Sequence, residues 1–307
     1  MNRILLILTY LFITQASFAC MNEYRTNLDG SVQLMQTHRG IVYYHKLNQS
    51  ELLLDSVSLW NSYLEKDADS IEYLSDYAAT LVYLAHYDQA KNIYFQIENT
   101  SPNRYTTASN LGTTYELLGQ PDSALFWIKR SMKLNPKSHG GSEWIHVKIL
   151  EAQIKGTTEN SASILGLDFG THAVPINARG DNLDDLVNDI DHQLSERLKF
   201  VDAPNKTVGN IYYDYGNLMA LTSSLESAIV SYFEAERFGF DSELMQIRKA
   251  EFQSRTKFTS FKGAVNDFIK EHLILSLILF LVGLIFSIWV LRKLFRKLKK
   301  WKVKKSN

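Results

Sequence analysis

The chain contains a single cysteine, Cys20, among its 307 residues. One cysteine cannot form an intramolecular disulfide, so a hydrophobic core must hold the fold together. The sequence also lacks a phosphate-binding glycine loop and a strand-turn-helix nucleophile motif, two common signatures of enzymes. These absences exclude a scaffold held by intramolecular disulfides and make catalysis less expected. An enzyme whose catalytic residues are scattered along the sequence remains an open alternative.

Charged residues are absent from residues 273–291, LILSLILFLVGLIFSIWVL. Nineteen apolar residues are enough for a helix to cross a bilayer, and Trp289 lies near the far end, where aromatic residues favour the interface. The tail at residues 292–307 carries nine Lys or Arg and no acidic residue. We therefore predict a single transmembrane helix at 273–291 and a basic cytoplasmic tail.

The N-terminal segment has the layout of a secretory signal. Arg3 precedes an apolar stretch that is too short to span a bilayer, and the small residues Ser17 and Ala19 precede Cys20. We predict a cleaved signal peptide at residues 1–19. Lipid attachment at Cys20 is the alternative, but Ser17 and Phe18 depart from the usual lipoprotein pattern, which favours ordinary cleavage.

These two segments place residues 20–272 in the periplasm of a bacterial-type cell, anchored to the inner membrane. The whole chain has a net charge of zero, but the exported part holds 23 basic against 33 acidic residues. An acidic domain argues against nucleic acid as its partner.

The sequence repeats itself at an offset of 34 residues, between residues 71–104 and 105–138. Ala78 aligns with Gly112, Ala90 with Ala124, and Pro102 with Pro136. Small residues at fixed places suit two antiparallel helices that approach closely, and a proline suits the break before the next unit.

In this pattern the chain resembles the tetratricopeptide repeat family. The second unit carries six of the family's residues at the expected places: Leu111, Gly112, Tyr115, Gly119, Ala124 and Pro136. A third unit is indicated at residues 205–240 by Gly216, Ala228, Tyr232 and Ala235. The predicted fold is mainly α, a short tetratricopeptide-type helical array with an irregular insertion and one C-terminal transmembrane helix.

The remaining boundaries follow from these features. An N-terminal extension covers residues 20–49, helical repeats with flanking helices cover 50–156, and a charged, helix-prone stalk covers 241–272. The insertion at 157–204 begins with Gly, Thr, Pro and Asn punctuation, which predicts irregular structure with a short strand. From Leu183 its apolar residues keep helical spacing, which predicts an amphipathic helix preceded by Asp181 as its cap.

The resemblance implies that side chains of the first helix in each unit line a groove that binds a protein segment. The residues so placed are Asp76 and Tyr83 in the first unit and Thr106, Ser109, Asn110, Thr113, Glu116 and Leu117 in the second. Asn110 is the sharpest candidate, since its amide can both donate to and accept from the backbone of an extended peptide. Unit one places no Lys or Arg in the groove, so a clamp for a terminal carboxylate is not expected.

The favoured function is a non-enzymatic, protein-binding scaffold of the cell envelope, without cofactor or metal. A permanent structural role in an envelope complex differs from it only in how long the partner stays bound. The alternative is an enzyme or metal-dependent module in the insertion, with Asp168, Asp181 and His192 as its candidate residues. The acidic residues between 181 and 191 are interpreted as a solvated face rather than a calcium site, because the EF-hand pattern is absent.

Overall fold

The computed structural model describes residues 24–34, 50–156 and 163–271, with 277, 281, 284, 287–289 and 291–293 beyond them. The predicted signal peptide, Cys20 and most of the predicted membrane span and basic tail lie outside these residues. Within the part that is described, no helix is both long and apolar enough to cross a bilayer. The transmembrane helix and the signal therefore stay predictions from the sequence.

A small hairpin precedes the helices. Strands β1 (Tyr24–Thr26) and β2 (Val32–Leu34) pair antiparallel, with Tyr24 opposite Leu34. Thr26 donates from its backbone N–H and its hydroxyl to the Glu226 carboxylate, at 2.9 and 2.7 Å, and Arg25 donates to Ser227 at 2.9 Å. This part of the extension is thus fixed to the third helix pair, although about 200 residues separate them.

The helices follow in pairs. The first flanking helix is α1 (Ser50–Leu64), and the two predicted units form α2 (Ile71–Tyr83) with α3 (Tyr87–Thr100) and α4 (Tyr105–Leu117) with α5 (Pro121–Leu134). A short 3₁₀ turn (Ser138–Gly141) leads into α6 (Glu143–Lys155). Equivalent helices of the two units begin 34 residues apart, so the predicted helical repeat is confirmed.

Small residues set the distance between the paired helices, as the repeat pattern predicts. Ala78, Ala90 and Ala124 are fully buried. A Cβ on Gly112 would lie 2.4 Å from the Ile128 side chain, and one on Gly216 would lie 2.4 Å from the Tyr232 ring. At these two glycines the paired helices therefore pack so closely that an added Cβ would require the facing side chain to shift.

The third predicted repeat also forms a helix pair, α8 (Lys206–Thr222) with α9 (Leu225–Arg237). Every residue of α8 from Thr207 to Ala220 is buried. A helix buried on all sides needs partners all round, and the insertion supplies some of them. The largest hydrophobic cluster joins α8 and α9 to Leu165 and Phe169 of the insertion.

The second half of the insertion forms α7 (Leu183–Arg197), which confirms that a helix begins at Leu183. Its cap is Asn182, whose side chain accepts from the Asp185 N–H, so the assignment of Asp181 as the cap is wrong. The acidic face is also not wholly solvated, because Asp189 accepts a 2.7 Å hydrogen bond from the Trp144 indole. Residues 163–182, which complete the described part of the insertion, form turns and contain no strand.

The turns of the insertion are held by one buried guanidinium. Arg248, on α10 (Glu243–Glu271), is fully buried. It donates to the carbonyl oxygens of Phe169, Gly170 and His172 at 2.7–3.0 Å, and to Asn217 at 2.7 Å. With Met245 and Phe252 also fully buried, the beginning of α10 belongs to the packed body rather than to an exposed stalk. Residues 255–307 form a separate compact unit.

A second buried polar group, Asp214, holds the start of the described insertion. Its Oδ2 accepts a 2.5 Å hydrogen bond from the Ser163 hydroxyl. Burial raises the pKa of Asp214 to about 8 from its ordinary value of 3.8, outweighing the Ser163 hydrogen bond and the field of Arg248. The carboxyl is therefore largely neutral in the folded chain at neutral pH.

We expect Gly209→Ala to lower the free energy of unfolding by about 1–3 kcal/mol, the usual cost of overpacking. The added Cβ would lie 2.7 Å from Phe240 Cβ and 2.9 Å from the Ala235 carbonyl oxygen, and the backbone there cannot move aside cheaply. Gly112→Ala is the matched control, because the nearest atoms there belong to the Ile128 side chain, which can rotate. Urea unfolding measures both; equal losses would contradict this account.

Asp214→Asn is expected to stabilise the fold increasingly as pH rises from about 4 to about 8. The folded pKa of about 8 exceeds the ordinary 3.8, so over this window the unfolded chain loses a proton that the folded chain retains. The contribution of Asp214 to stability therefore falls as pH rises, and a neutral amide removes that contribution's dependence on pH. Thermal unfolding at several pH values measures the difference, which should be smallest near pH 4. A difference that does not grow with pH would show that Asp214 is ionised when folded.

Candidate functional site: a roofed groove

The first helices of the repeat units face a common cavity of about 440 Å³. Seven of the eight predicted groove residues line it: Tyr83, Thr106, Ser109, Asn110, Thr113, Glu116 and Leu117. Asp76 is not among the lining residues. The structure thus brings most of the predicted set to one place, while its role in binding stays a prediction.

The opposite wall of the cavity comes from the insertion. Gln193, Glu196 and Arg197 of α7 face it, followed by Phe200 and Val201. The resemblance implies an open concave face, whereas here the groove carries a roof. The roof follows from the anchoring of α7, since Ile190 and Leu194 are buried in the large hydrophobic cluster and Gln193 donates to Ser142 at 3.1 Å.

Two aromatic rings meet at one end of the cavity. Phe200 stacks on Tyr83, with ring centroids 4.7 Å apart and planes 25° apart. Tyr83 remains 43% exposed, so the stack is only partly shielded from water. This contact is where the insertion meets the first repeat unit.

At the other end, Glu116 of α4 receives three partners. Arg197 donates through both terminal nitrogens, at 2.5 and 3.1 Å, and His146 Nε2 and Gln153 Nε2 each lie 2.8 Å from the carboxylate. Burial alone would raise the pKa of Glu116, but Arg197 and then His146 hold it well below its usual range. Glu116 therefore joins the array, α6 and the insertion as a buried anion.

A second carboxylate, Glu143, continues the cluster. It bonds His139 Nδ1, and its other oxygen lies 3.5 Å from His146 Nδ1. Burial opposes its charge, yet the two histidines lower the pKa of Glu143 to about 2. The hydrogen bond to Glu143 raises the pKa of His139; burial of His146 opposes its charge, but the bonds to both glutamates raise its pKa above the usual value. Each buried carboxylate of this cluster thus faces at least one basic partner.

Between the two ends the wall offers uncharged hydrogen-bonding groups. Thr106, Ser109, Asn110 and Thr113 lie on one face of α4, and Tyr94 lines the same space. The Tyr94 hydroxyl lies near the Asn110 amide but makes no well-aligned hydrogen bond with it. Tyr94 is itself fully buried, so its hydroxyl is an unsatisfied polar group beside Asn110.

The size of the cavity limits what it can hold. Pockets that enclose small ligands measure roughly 300–1,000 Å³, and a helix about 10 Å wide displaces roughly 420 Å³ per turn. A cavity of about 440 Å³ therefore suits a short extended segment or a single turn rather than a long helix.

The residues of the alternative site have separate local contacts. Asp168 accepts from the Gly170 N–H at 2.9 Å, Asp181 lies 3.7 Å from Arg179, and the His192 ring lies 5.0 Å from that of His139. Among the residues described, no group of three His, Cys, Asp or Glu is placed to hold a metal ion.

Sequence reasoning missed the residues that close the groove, above all Arg197, Phe200 and His146. One signal was present for Arg197. It follows Ile190 and Leu194 at helical spacing, so it interrupts an apolar stripe with a charge, and such a charge is expected to have a buried partner.

No protein-family model matches the chain, and no curated protein sequence matches it. A thermophilic tetratricopeptide repeat protein from Thermus thermophilus is similar in structure, with a TM-score of 0.34 and 15% identity, covering 69% of this chain and 99% of that one. A tetratricopeptide repeat protein from Parabacteroides merdae gives a TM-score of 0.35 and 15% identity, covering 67% and 79%. The chain's own helix pairs are consistent with the tetratricopeptide repeat family, as the sequence predicts.

We expect Arg197→Met to lower the free energy of unfolding by about 3 kcal/mol, because it leaves the buried Glu116 carboxylate without its guanidinium. Adding Glu116→Gln should recover much of this loss, since no uncompensated anion then remains. Lys199→Met is the control: its pair with Glu196 is exposed, and its loss should cost only a few tenths of a kcal/mol, roughly. Urea unfolding of these three variants and of Glu116→Gln alone measures the coupling between the two residues, and additive losses would contradict a direct interaction.

Proposed function

We propose that the chain is a non-enzymatic protein-binding scaffold of the cell envelope, in which the cavity between the repeat units and the insertion receives a short segment of a partner protein. The observation that carries the proposal is the convergence of groove residues from both units on one partly covered cavity with hydrogen-bonding walls.

The chemistry of the wall supports a peptide as the occupant. The Asn110 side chain offers a donor and an acceptor to a peptide backbone, and the Tyr94 hydroxyl beside it offers another donor. Tyr83 and Phe200 add an aromatic surface for an apolar side chain. Peptide recognition commonly combines such backbone hydrogen bonds with pockets for individual side chains.

A binding role is favoured over catalysis because the charged groups in the cavity bond to one another. Glu116 is engaged by Arg197 and His146, and Glu143 by His139. A general acid or base must exchange a proton with its substrate, whereas these carboxylates already face basic partners within the cavity wall. The described part of the insertion supplies roof and core contacts, which gives the alternative of a site at Asp168, Asp181 and His192 no specific support.

The location is proposed from the sequence. The signal at residues 1–19 and the apolar run at 273–291 support a single-pass inner-membrane protein with residues 20–272 in the periplasm. In that topology the cavity faces partners outside the cytoplasm.

Photo-cross-linking in intact membranes tests this function. A benzoyl-phenylalanine at Thr106, an exposed residue of the cavity wall, should yield an adduct of defined mass with a partner protein. Asn110→Ala in the same chain should reduce the yield about tenfold, the effect of losing roughly 1–2 kcal/mol of hydrogen bonding.

The control places the same cross-linker at Lys129, an exposed residue of α5 that does not line the cavity. Adducts that form equally at Lys129, or that survive Asn110→Ala unchanged, would count against binding in the cavity. Absence of any adduct at Thr106 would argue against the scaffold itself.

A further inference from the structure

The connection between α7 and α8 crosses the groove. We call residues 199–204 the strap. It begins after Leu198, which is buried in the large hydrophobic cluster, and ends before Asn205, whose side chain caps α8 by accepting from the Val208 N–H at 3.1 Å. Both ends of the strap are therefore fixed to the body of the third helix pair.

The middle of the strap contacts a different part of the molecule. Phe200 packs against the cluster formed by the first two repeat units, whereas Leu198, two residues earlier, belongs to the cluster around α8. The strap thus joins two hydrophobic clusters by a single aromatic side chain.

The contact between the strap and the array is slight compared with its anchors. The backbone N–H groups of Lys199, Phe200 and Val201 all donate back to α7, to the carbonyls of Glu196 and Arg197. Lys199 is exposed, and its ammonium pairs with Glu196 of α7 at 2.7 Å. Against the array, Phe200 packs on the cluster of the first two units and stacks on Tyr83, which is itself 43% exposed.

We propose that the strap is a displaceable cover of the groove, and that a partner segment enters the cavity when Phe200 leaves Tyr83. This inference rests on the proposed function for its consequence, since release of the strap then sets access to the binding site. The buried Glu116–Arg197 pair limits the movement to residues beyond α7, because α7 itself stays docked on the array.

Opening can be measured without a partner through a thiol behind the strap. Ser109→Cys, in a Cys20→Ser background of the full chain in membranes, places the thiol in the cavity wall. Its rate of modification by a bulky maleimide should rise at least about fivefold with Phe200→Ala, the population shift that follows from losing an aromatic contact. Phe200→Leu should give an intermediate rate, because it keeps an apolar side chain without the stack.

Two controls isolate the strap from general loosening. Lys199→Ala removes an exposed neighbour of Phe200 and should leave the rate unchanged. A thiol at Asp122, an exposed residue at the start of α5, should react at the same rate in every variant. A fivefold rise that also appears for the thiol at Asp122 would indicate unfolding and would overturn the inference. A modification rate at Ser109→Cys that Phe200→Ala leaves unchanged would overturn it as well.

Closing the strap tests its link to binding. Thiols at Tyr83→Cys and Phe200→Cys, joined by a short cleavable bis-maleimide, should lower the Thr106 cross-linking yield at least about fivefold, and cleavage of the linker should restore it. Unchanged capture in the closed form would overturn the strap while leaving the scaffold function intact. The thiol modification rates could also respond as expected while no partner is cross-linked with the strap either closed or released. That result would support the displaceable strap and reject the scaffold function.

Discussion

The buried pair of Glu116 and Arg197 decides what the repeat array can present. Glu116 occupies a groove position of the second unit, and Arg197 comes from the insertion, 81 residues later in the chain. Two charges withdrawn from water need each other, because a lone buried carboxylate or guanidinium costs several kcal/mol, roughly. Their pairing therefore fixes the end of α7 over α4. The concave face thereby becomes a partly covered cavity of about 440 Å³.

The insertion itself is specified by buried polar contacts as much as by apolar ones. Arg248 donates hydrogen bonds to three backbone carbonyl oxygens in the turns of the insertion, and Asn210 of α8 accepts one from the Ile164 N–H at 3.0 Å. Turns carry backbone groups that helices would satisfy internally, so a turn packed into a core needs side chains to replace those bonds. The polar side chains of α8 and α10 fill that need. This is why a helix of a repeat unit holds so many buried polar residues.

The repeat could be predicted from the sequence because it depends on local spacing. Ala78, Gly112 and Ala124 mark where helices must approach, and such marks need no knowledge of the rest of the chain. The roof could not be predicted in the same way, since the contact of Phe200 with Tyr83 joins residues that no periodicity relates. The N-cap of α7 shows that sequence-based prediction is limited even at short range. Asp181 and Asn182 are both residue types that cap helices well, and the structure places Asn182 at the cap position. Seven of the cavity-lining residues could be predicted from the family resemblance, whereas the partners of Glu116 could be identified only from the three-dimensional structure.

The charges in the cavity bear on what it can recognise. Residues 20–272 carry 23 basic against 33 acidic residues, yet at this site both glutamates are matched by Arg197 and by histidines whose pKa values are raised. A charged ligand would find no uncompensated opposite charge there, so charge alone would add little to its affinity. Discrimination would then come from the uncharged wall around Asn110 and from the separate aromatic rings of Tyr83 and Phe200. In the proposed function, the groove would recognise the backbone and apolar side chains of a segment, and displacement of the strap would determine when that surface becomes accessible.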